Sequence, residues 1–294
     1  MLKLAIIFAA FSVCYGQHDN RYFLYTAPND AKALAIDLTT IPTALPTDLV
    51  PSKEVIILIH GYDEEYKSPF NLRVSEELLK KNIPNIIALD WSVRAGNSYP
   101  LASRQVTEVA KQLTKFIDWL TDIPATGDKL IDVKEIHLVG FNLGAHVAGM
   151  ASRNAKNRVG RITGLDPSGS GWGSRSGRLD KTDADYVEVI HTDGSGLLAN
   201  GIGTNIGDVD IFVNGGSNQP GCFSHSCSHN RAWELFADSI DSTRALAYEC
   251  RTMTQMKLNN CGTAYIPFGG TLLKKTPNGM IYRTNTGRRH PFFS

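Results

Sequence analysis

Ile136-His137-Leu138-Val139-Gly140-Phe141-Asn142-Leu143-Gly144-Ala145-His146-Val147-Ala148-Gly149-Met150-Ala151 is the stretch that decides the fold. An apolar run enters Gly-x-Asn-x-Gly, and a helix pattern rich in small residues leaves it. That is the form of a strand–turn–helix elbow, which lifts one side chain above the end of a sheet. Gly140 and Gly144 suit it, because the elbow residue sits in a strained turn with other backbone close on both sides. Such elbows carry a nucleophile. Here the position holds Asn142, whose amide is not deprotonated near neutral pH and is a poor nucleophile.

The flanking sequence predicts the sheet that such an elbow needs. Val55-Ile56-Ile57-Leu58-Ile59-His60 and Asn85-Ile86-Ile87-Ala88-Leu89-Asp90-Trp91 are apolar on both faces, as buried central strands are. Tyr22 to Thr26, Arg161 to Asp166, Tyr186 to His191, Val209 to Val213 and Met280 to Thr284 read as further strands. Helices are predicted over about 75–81, 103–120 and 230–239, the second from the spacing of Val106, Ala110, Leu113, Phe116, Ile117 and Leu120. Strands alternating with helices predict an α/β fold in one domain, with a mostly parallel central sheet and helices on both faces. Residues 39–52 read as an irregular connection and 194–221 as a long Gly- and Asn-rich loop.

The chain has 294 residues, 42% of them hydrophobic, and a formal net charge of +1. That balance gives no reason to expect a nucleic-acid partner. Lys3, the apolar run Leu4 to Val13 and Cys14-Tyr15-Gly16 read as a secretory signal peptide cleaved after Gly16, so residues 1–16 are expected to leave. The apolar run is too short for a transmembrane segment, and no other stretch is long and apolar enough. Cys222, Cys227, Cys250 and Cys261 then remain. In an oxidising compartment an even count predicts two disulfides, and neighbour pairing, Cys222–Cys227 and Cys250–Cys261, closes two short loops. Zinc held by Cys222, His225, Cys227 and His229 is the rival, but the spacing matches no common structural zinc site. Neither a metal nor a cofactor is expected.

In elbow-bearing folds the order along the chain is nucleophile, acid, base. Here that order reads Asn142, Asp166, His229. Asp166 ends a β run and precedes Pro167, so it is predicted at the carboxyl end of a strand, where such folds place their sites. His229 is read on an irregular stretch ahead of a helix. His60-Gly61, after the first buried strand, stands where a backbone N–H of an oxyanion hole is expected.

Several stretches together resemble the pancreatic lipase family of α/β-hydrolases. They are Ile59-His60-Gly61-Tyr62, Asn85 to Trp91, Val139 to Ala148, Gly164-Leu165-Asp166-Pro167, Ile190-His191-Thr192-Asp193, Asn214-Gly215-Gly216 through Pro220-Gly221-Cys222, and Cys227-Ser228-His229-Asn230-Arg231. They run through most of the chain after residue 16. The likeness is greatest to the arthropod secreted branch, which includes sn-1-specific phospholipases A1 and yolk proteins that have lost catalysis. The resemblance implies that Asn142 occupies the serine position, that Asp166 and His229 are acid and base, and that the backbone N–H groups of Tyr62 and Leu143 form the oxyanion hole. It implies a lipid or fatty-acyl ester ligand, and contact with a lipid surface. The family's lid lies between two cysteines ahead of the base. Here Cys222 and Cys227 enclose only Phe223-Ser224-His225-Ser226, as in the lidless phospholipases. The family's C-terminal β-sandwich, its platform for a colipase-type partner, is not expected after this domain. Two functions follow: a catalytically silenced lipid or ester binder, because Asn142 replaces serine, or an active carboxylic ester hydrolase of the phospholipase A1 or triacylglycerol lipase type.

Overall fold

The computed structural model describes residues 20–27, 30–33, 49–50, 53–122, 131–174, 177–277 and 279–293. The signal-peptide reading, and most of the predicted connection at 39–52, lie outside them. The strands are β1 (Arg21–Ala27), β2 (Asp30–Ala33), β3 (Val55–Ile59), β4 (Asn85–Asp90), β5 (Ile136–Phe141), β6 (Arg161–Leu165), β7 (Tyr186–His191), β8 (Val209–Val213), β9 (Leu246–Cys250), β10 (Tyr265–Pro267) and β11 (Ile281–Thr284). The helices are α1 (Pro69–Lys80), α2 (Ser92–Ala95), α3 (Tyr99–Asp122), α4 (Leu143–Asn154), α5 (His225–Ser239) and α6 (Met253–Lys257).

All the strands join one sheet in the order β10-β9-β11-β8-β7-β6-β5-β3-β4-β1-β2. From β4 to β11 every neighbouring pair is parallel. The antiparallel pairings sit at the two edges, β1 with β4 and β2, and β9 with β11 and β10. This is the predicted α/β-hydrolase architecture.

The apolar runs are continuous because each central strand is covered twice. In β3, Val55, Ile57 and Ile59 pack with the α3 and α4 side of the molecule, while Ile56 and Leu58 pack with the α1 and α5 side. β4 divides the same way, Ile87 and Leu89 against Ile86 and Ala88. The period of two that a one-sided strand shows as alternating polarity is therefore hidden. α3 contributes Val106, Leu113, Phe116 and Leu120 to one layer, and α1 contributes Phe70, Val74 and Leu78 to the other. Each such side chain, taken fully from water, contributes about 2 kcal/mol.

Three helix starts differ from the sequence expectation. α1 begins at Pro69, after Ser68, rather than at Ser75, because proline at the first helical position has its φ already set and no N–H to satisfy. α3 begins at Tyr99, four residues early. α5 begins at His225 rather than Asn230: Ser224 caps it, its hydroxyl accepting from the Cys227 N–H at 3.2 Å. β9 and β10 are short and at an edge, so each is only partly buried and no long apolar run marks it as a strand. Both disulfides form with neighbour pairing, Cys222–Cys227 and Cys250–Cys261. The zinc alternative is thereby overturned, since a disulfide sulfur offers no thiolate to a metal. Among the described residues no helix is long and apolar enough to cross a membrane.

Candidate active site

The site assembles at the carboxyl ends of the parallel strands, where loops from several of them converge. Asn142 follows β5, Asp166 follows β6, Thr192 and Asp193 follow β7, and Gly61 and Tyr62 come just after β3. His229 reaches it from the first turns of α5 rather than from irregular chain.

Asn142 has φ 54° and ψ −117°, a conformation that costs a residue with a Cβ about 1–3 kcal/mol. The surroundings hold it there. Its N–H donates to Leu165 O at 3.2 Å, and its carbonyl accepts from Ser168 N at 3.2 Å. A Cβ on Gly144 would lie 2.1 Å from Ile59 O, and one on Gly140 2.4 Å from Gly144 O. Only glycine lets α4 pass this close to β3 and β5.

Asn142 stands at the N-cap of α4, a position that asparagine favours because its side chain can satisfy a helix N–H. Here it makes no capping bond. The side chain turns the other way. Its Oδ1 accepts from the Tyr62 backbone N–H at 3.2 Å, and its Nδ2 lies 2.8 Å from His229 Nε2. An amide nitrogen donates, so Nε2 carries the lone pair and Nδ1 the proton. Nδ1 in turn lies 2.5 Å from Asp166 Oδ2 and donates to it. The other carboxylate oxygen of Asp166 accepts from the backbone N–H groups of Thr192 at 2.8 Å and Asp193 at 3.0 Å. Asp166 is fully buried, while Asn142 and His229 keep 8% and 7% of their surface exposed. The Phe141 ring lies against the His229 ring, centroids 4.6 Å apart.

The structure thus brings Asn142, Asp166, His229 and the Tyr62 N–H into one connected chain of hydrogen bonds. Leu143 is buried as the first residue of α4, where a backbone N–H has no acceptor within the helix. Chemically the assembly holds an imidazole with its lone pair aimed at the elbow, and an amide where a hydroxyl would serve as nucleophile.

Some residues that shape the site escape sequence reasoning. Glu64 accepts from the Gly61 N–H at 2.7 Å and fixes the loop that presents the Tyr62 N–H. Burial raises its carboxyl above the ordinary glutamate range, while the Gly61 N–H and the nearby His60 and His229 pull it back. Gln219 donates to the carbonyls of Thr192, Val213 and Ser217, tying the β7 loop to the approach of α5. Asp193 accepts from Asn200 through Oδ2 and pairs with His225, 2.6 Å from its Oδ1. None of these has a local motif. The Thr192-Asp193 stretch was visible as a family resemblance, but its role, two backbone donors, is not written in side chains. Among the described residues no group of His, Cys, Asp and Glu is arranged to hold a metal ion.

A family model described as Lipase matches residues 9–265. The chain is similar to pancreatic triacylglycerol lipase of Myocastor coypus, 29% identical over 270 residues, covering 83% of this chain and 57% of that protein. It is similar to phospholipase A1 member A of Rattus norvegicus, 34% identical over 239 residues, covering 77% and 50%. It is also similar to lipoprotein lipase of Gallus gallus, 34% identical over 236 residues, covering 71% and 47%. The chain spans about half the length of these relatives.

Proposed function

The chain belongs to the lipase family, and we propose that it is a secreted, catalytically silenced member that binds lipids or fatty-acyl esters. One observation carries the silencing. The Asn142 amide takes the Tyr62 N–H with its oxygen and the His229 lone pair with its nitrogen. Acyl transfer needs a hydroxyl that the imidazole can deprotonate and an empty donor position for the oxyanion. Here the first is missing and the Tyr62 donor is occupied. Loss of the serine in a comparable triad lowers kcat by about 10⁶.

Binding does not depend on that hydroxyl. The names of the similar proteins, triacylglycerol lipase, phospholipase A1 and lipoprotein lipase, support a glycerolipid ester as ligand. Leu197 and Phe223 are fully exposed on loops flanking the site. Large apolar side chains left in water there support contact with a lipid surface. The signal-like N-terminus and the two disulfides support secretion.

The test is turnover of short-chain esters, phospholipid and triacylglycerol by the wild type and by Asn142→Ser, with organophosphate labelling of both. Silencing predicts no turnover and no label for the wild type, and gain of both for Asn142→Ser. Turnover by the wild type at a rate comparable to Asn142→Ser establishes the alternative, an active carboxylic ester hydrolase. Mass spectrometry of lipid carried through purification tests binding directly; protein that emerges free of lipid and takes up none from vesicles excludes a lipid binder.

A further inference from the structure

We propose that this site hydrolyses its own Asn142 side-chain amide, converting Asn142 to aspartate. The inference rests on the silenced-site reading above, because it treats the occupying amide as a trapped substrate. Three features point to it. The amide oxygen sits 3.2 Å from the Tyr62 N–H, where an oxyanion is stabilised, and the amide nitrogen sits 2.8 Å from His229 Nε2, where a leaving group is protonated. The amide is also covalently held in this pose by an elbow that fixes its backbone at φ 54°. An intramolecular arrangement of this kind avoids most of the entropic cost of bringing reactants together. Finally, Asn142 and His229 each keep a little exposed surface, 8% and 7%, which gives water a way in.

The step balances with water as the only co-reactant. A water molecule displaces the Nδ2–H from His229 Nε2, attacks Cγ and gives a proton to Nε2, while Asp166, 2.5 Å from Nδ1, balances the imidazolium. The new C–O bond pushes charge onto Oδ1 against the Tyr62 N–H. His229 returns the proton to Nδ2, the C–N bond breaks, and ammonia leaves. The acid then loses its proton to the ammonia, so asparagine and water become aspartate and ammonium. The product carboxylate stands at the N-terminus of α4, where the helix dipole favours a negative charge.

The spontaneous route runs differently, through attack of the Leu143 nitrogen on Cγ to a cyclic imide, which opens to both aspartate and isoaspartate. The two routes therefore leave different products. At the Asn142 ψ of −117° the Leu143 nitrogen eclipses Cβ, so the backbone leaves this route open and the products decide between the two.

The experiment incubates the purified full chain in ¹⁸O water at neutral pH and follows the peptide carrying Asn142 by mass spectrometry. The expected result is conversion with one ¹⁸O, α-aspartate alone, at least tenfold faster than at the exposed Asn97 of the same chain. His229→Gln and Asp166→Asn each slow it at least tenfold; the second acts on the proton path without touching Asn142. An Asn142 that outlasts Asn97, a rate unchanged in both variants, or a mixture with isoaspartate overturns the proposal. Ester turnover measured on the same samples before any conversion reads the silenced-site proposal separately. Turnover at that point overturns the silencing, and absence of both turnover and conversion overturns only the self-hydrolysis.

Discussion

Asn142 Nδ2 donates to His229 Nε2 across 2.8 Å, and that single donor decides where the imidazole keeps its proton. With Nε2 an acceptor, Nδ1 holds the hydrogen and gives it to Asp166 at 2.5 Å. Such short charge-assisted bonds deshield their proton strongly. Proton and nitrogen NMR of the folded chain are therefore expected to show one far-downfield His229 Nδ1–H and a bare Nε2. The signal persists in Asn142→Ser and vanishes in Asp166→Ala. A protonated Nε2 in the wild type contradicts the assignment.

Gly201 is the clearance behind Asp166. A Cβ there would lie 2.5 Å from the Cγ and both oxygens of the Asp166 carboxyl group. Gly201→Ala must push that carboxylate off its two backbone donors or off His229. A displacement near 1 Å in such an assembly costs on the order of 10² in rate. In the Asn142→Ser background, Gly201→Ala is expected to lower kcat about a hundredfold with KM little changed. Unchanged kcat means the Asp166 loop yields freely, and the packing argument fails.

The elbow and Asp166 are legible in sequence because their causes are local. Glycine clearance at 140 and 144 and an acid ending an apolar run are properties of neighbouring residues. His229 is legible as a residue but not as part of a helix, since the first turns of α5 draw on the Ser224 cap and the disulfide rather than on apolar periodicity. Glu64, Gln219 and the Thr192 and Asp193 N–H groups are not legible at all. Their work is done through backbone groups that loops bring together only in the fold. The occupation of the Tyr62 N–H by Asn142 belongs to the same class. Sequence shows an amide in place of a hydroxyl; the contact shows where the amide oxygen goes.

Glu64 sets a pH dependence for anionic ligands. Burial raises its carboxyl above the ordinary glutamate range, against the Gly61 N–H, His60 and His229. The carboxyl therefore neutralises earlier than a free glutamate as pH falls. By linkage, an acid with a raised folded value contributes stability that is present at low pH and lost as pH rises through that value. For binding, neutralising Glu64 removes repulsion of an anion beside Asn142. The affinity of an alkyl phosphonate monoester, itself ionised throughout, is expected to rise roughly tenfold on acidification, equivalent to about 1.4 kcal/mol of relieved repulsion. Glu64→Gln is expected to remove that rise. Equal pH profiles in the two proteins, measured by calorimetry, exclude Glu64 as the source.

A second charged cluster bears on stability rather than on the site. Glu188 on β7 is fully buried; one oxygen lies 3.2 Å from Arg161, and the other accepts from Tyr186 at 2.8 Å and from Lys275. Arg161 is also fully buried and Lys275 nearly so. Glu188→Gln keeps the shape and leaves two buried cations facing a neutral amide. Breaking buried pairs in this way costs about 3–5 kcal/mol, which urea unfolding at pH 7 measures; a loss under 1 kcal/mol would show that water reaches the cluster. Lys275→Met is the informative companion, because the Arg161–Glu188 pair survives it. Burial holds the Lys275 amine below the ordinary lysine range, against the pull of Glu188. The folded chain then binds fewer protons than the unfolded chain between that depressed value and about 10.4, so stability rises with pH across that window. Lys275→Met is expected to flatten the rise. A slope that survives the substitution assigns it to other groups.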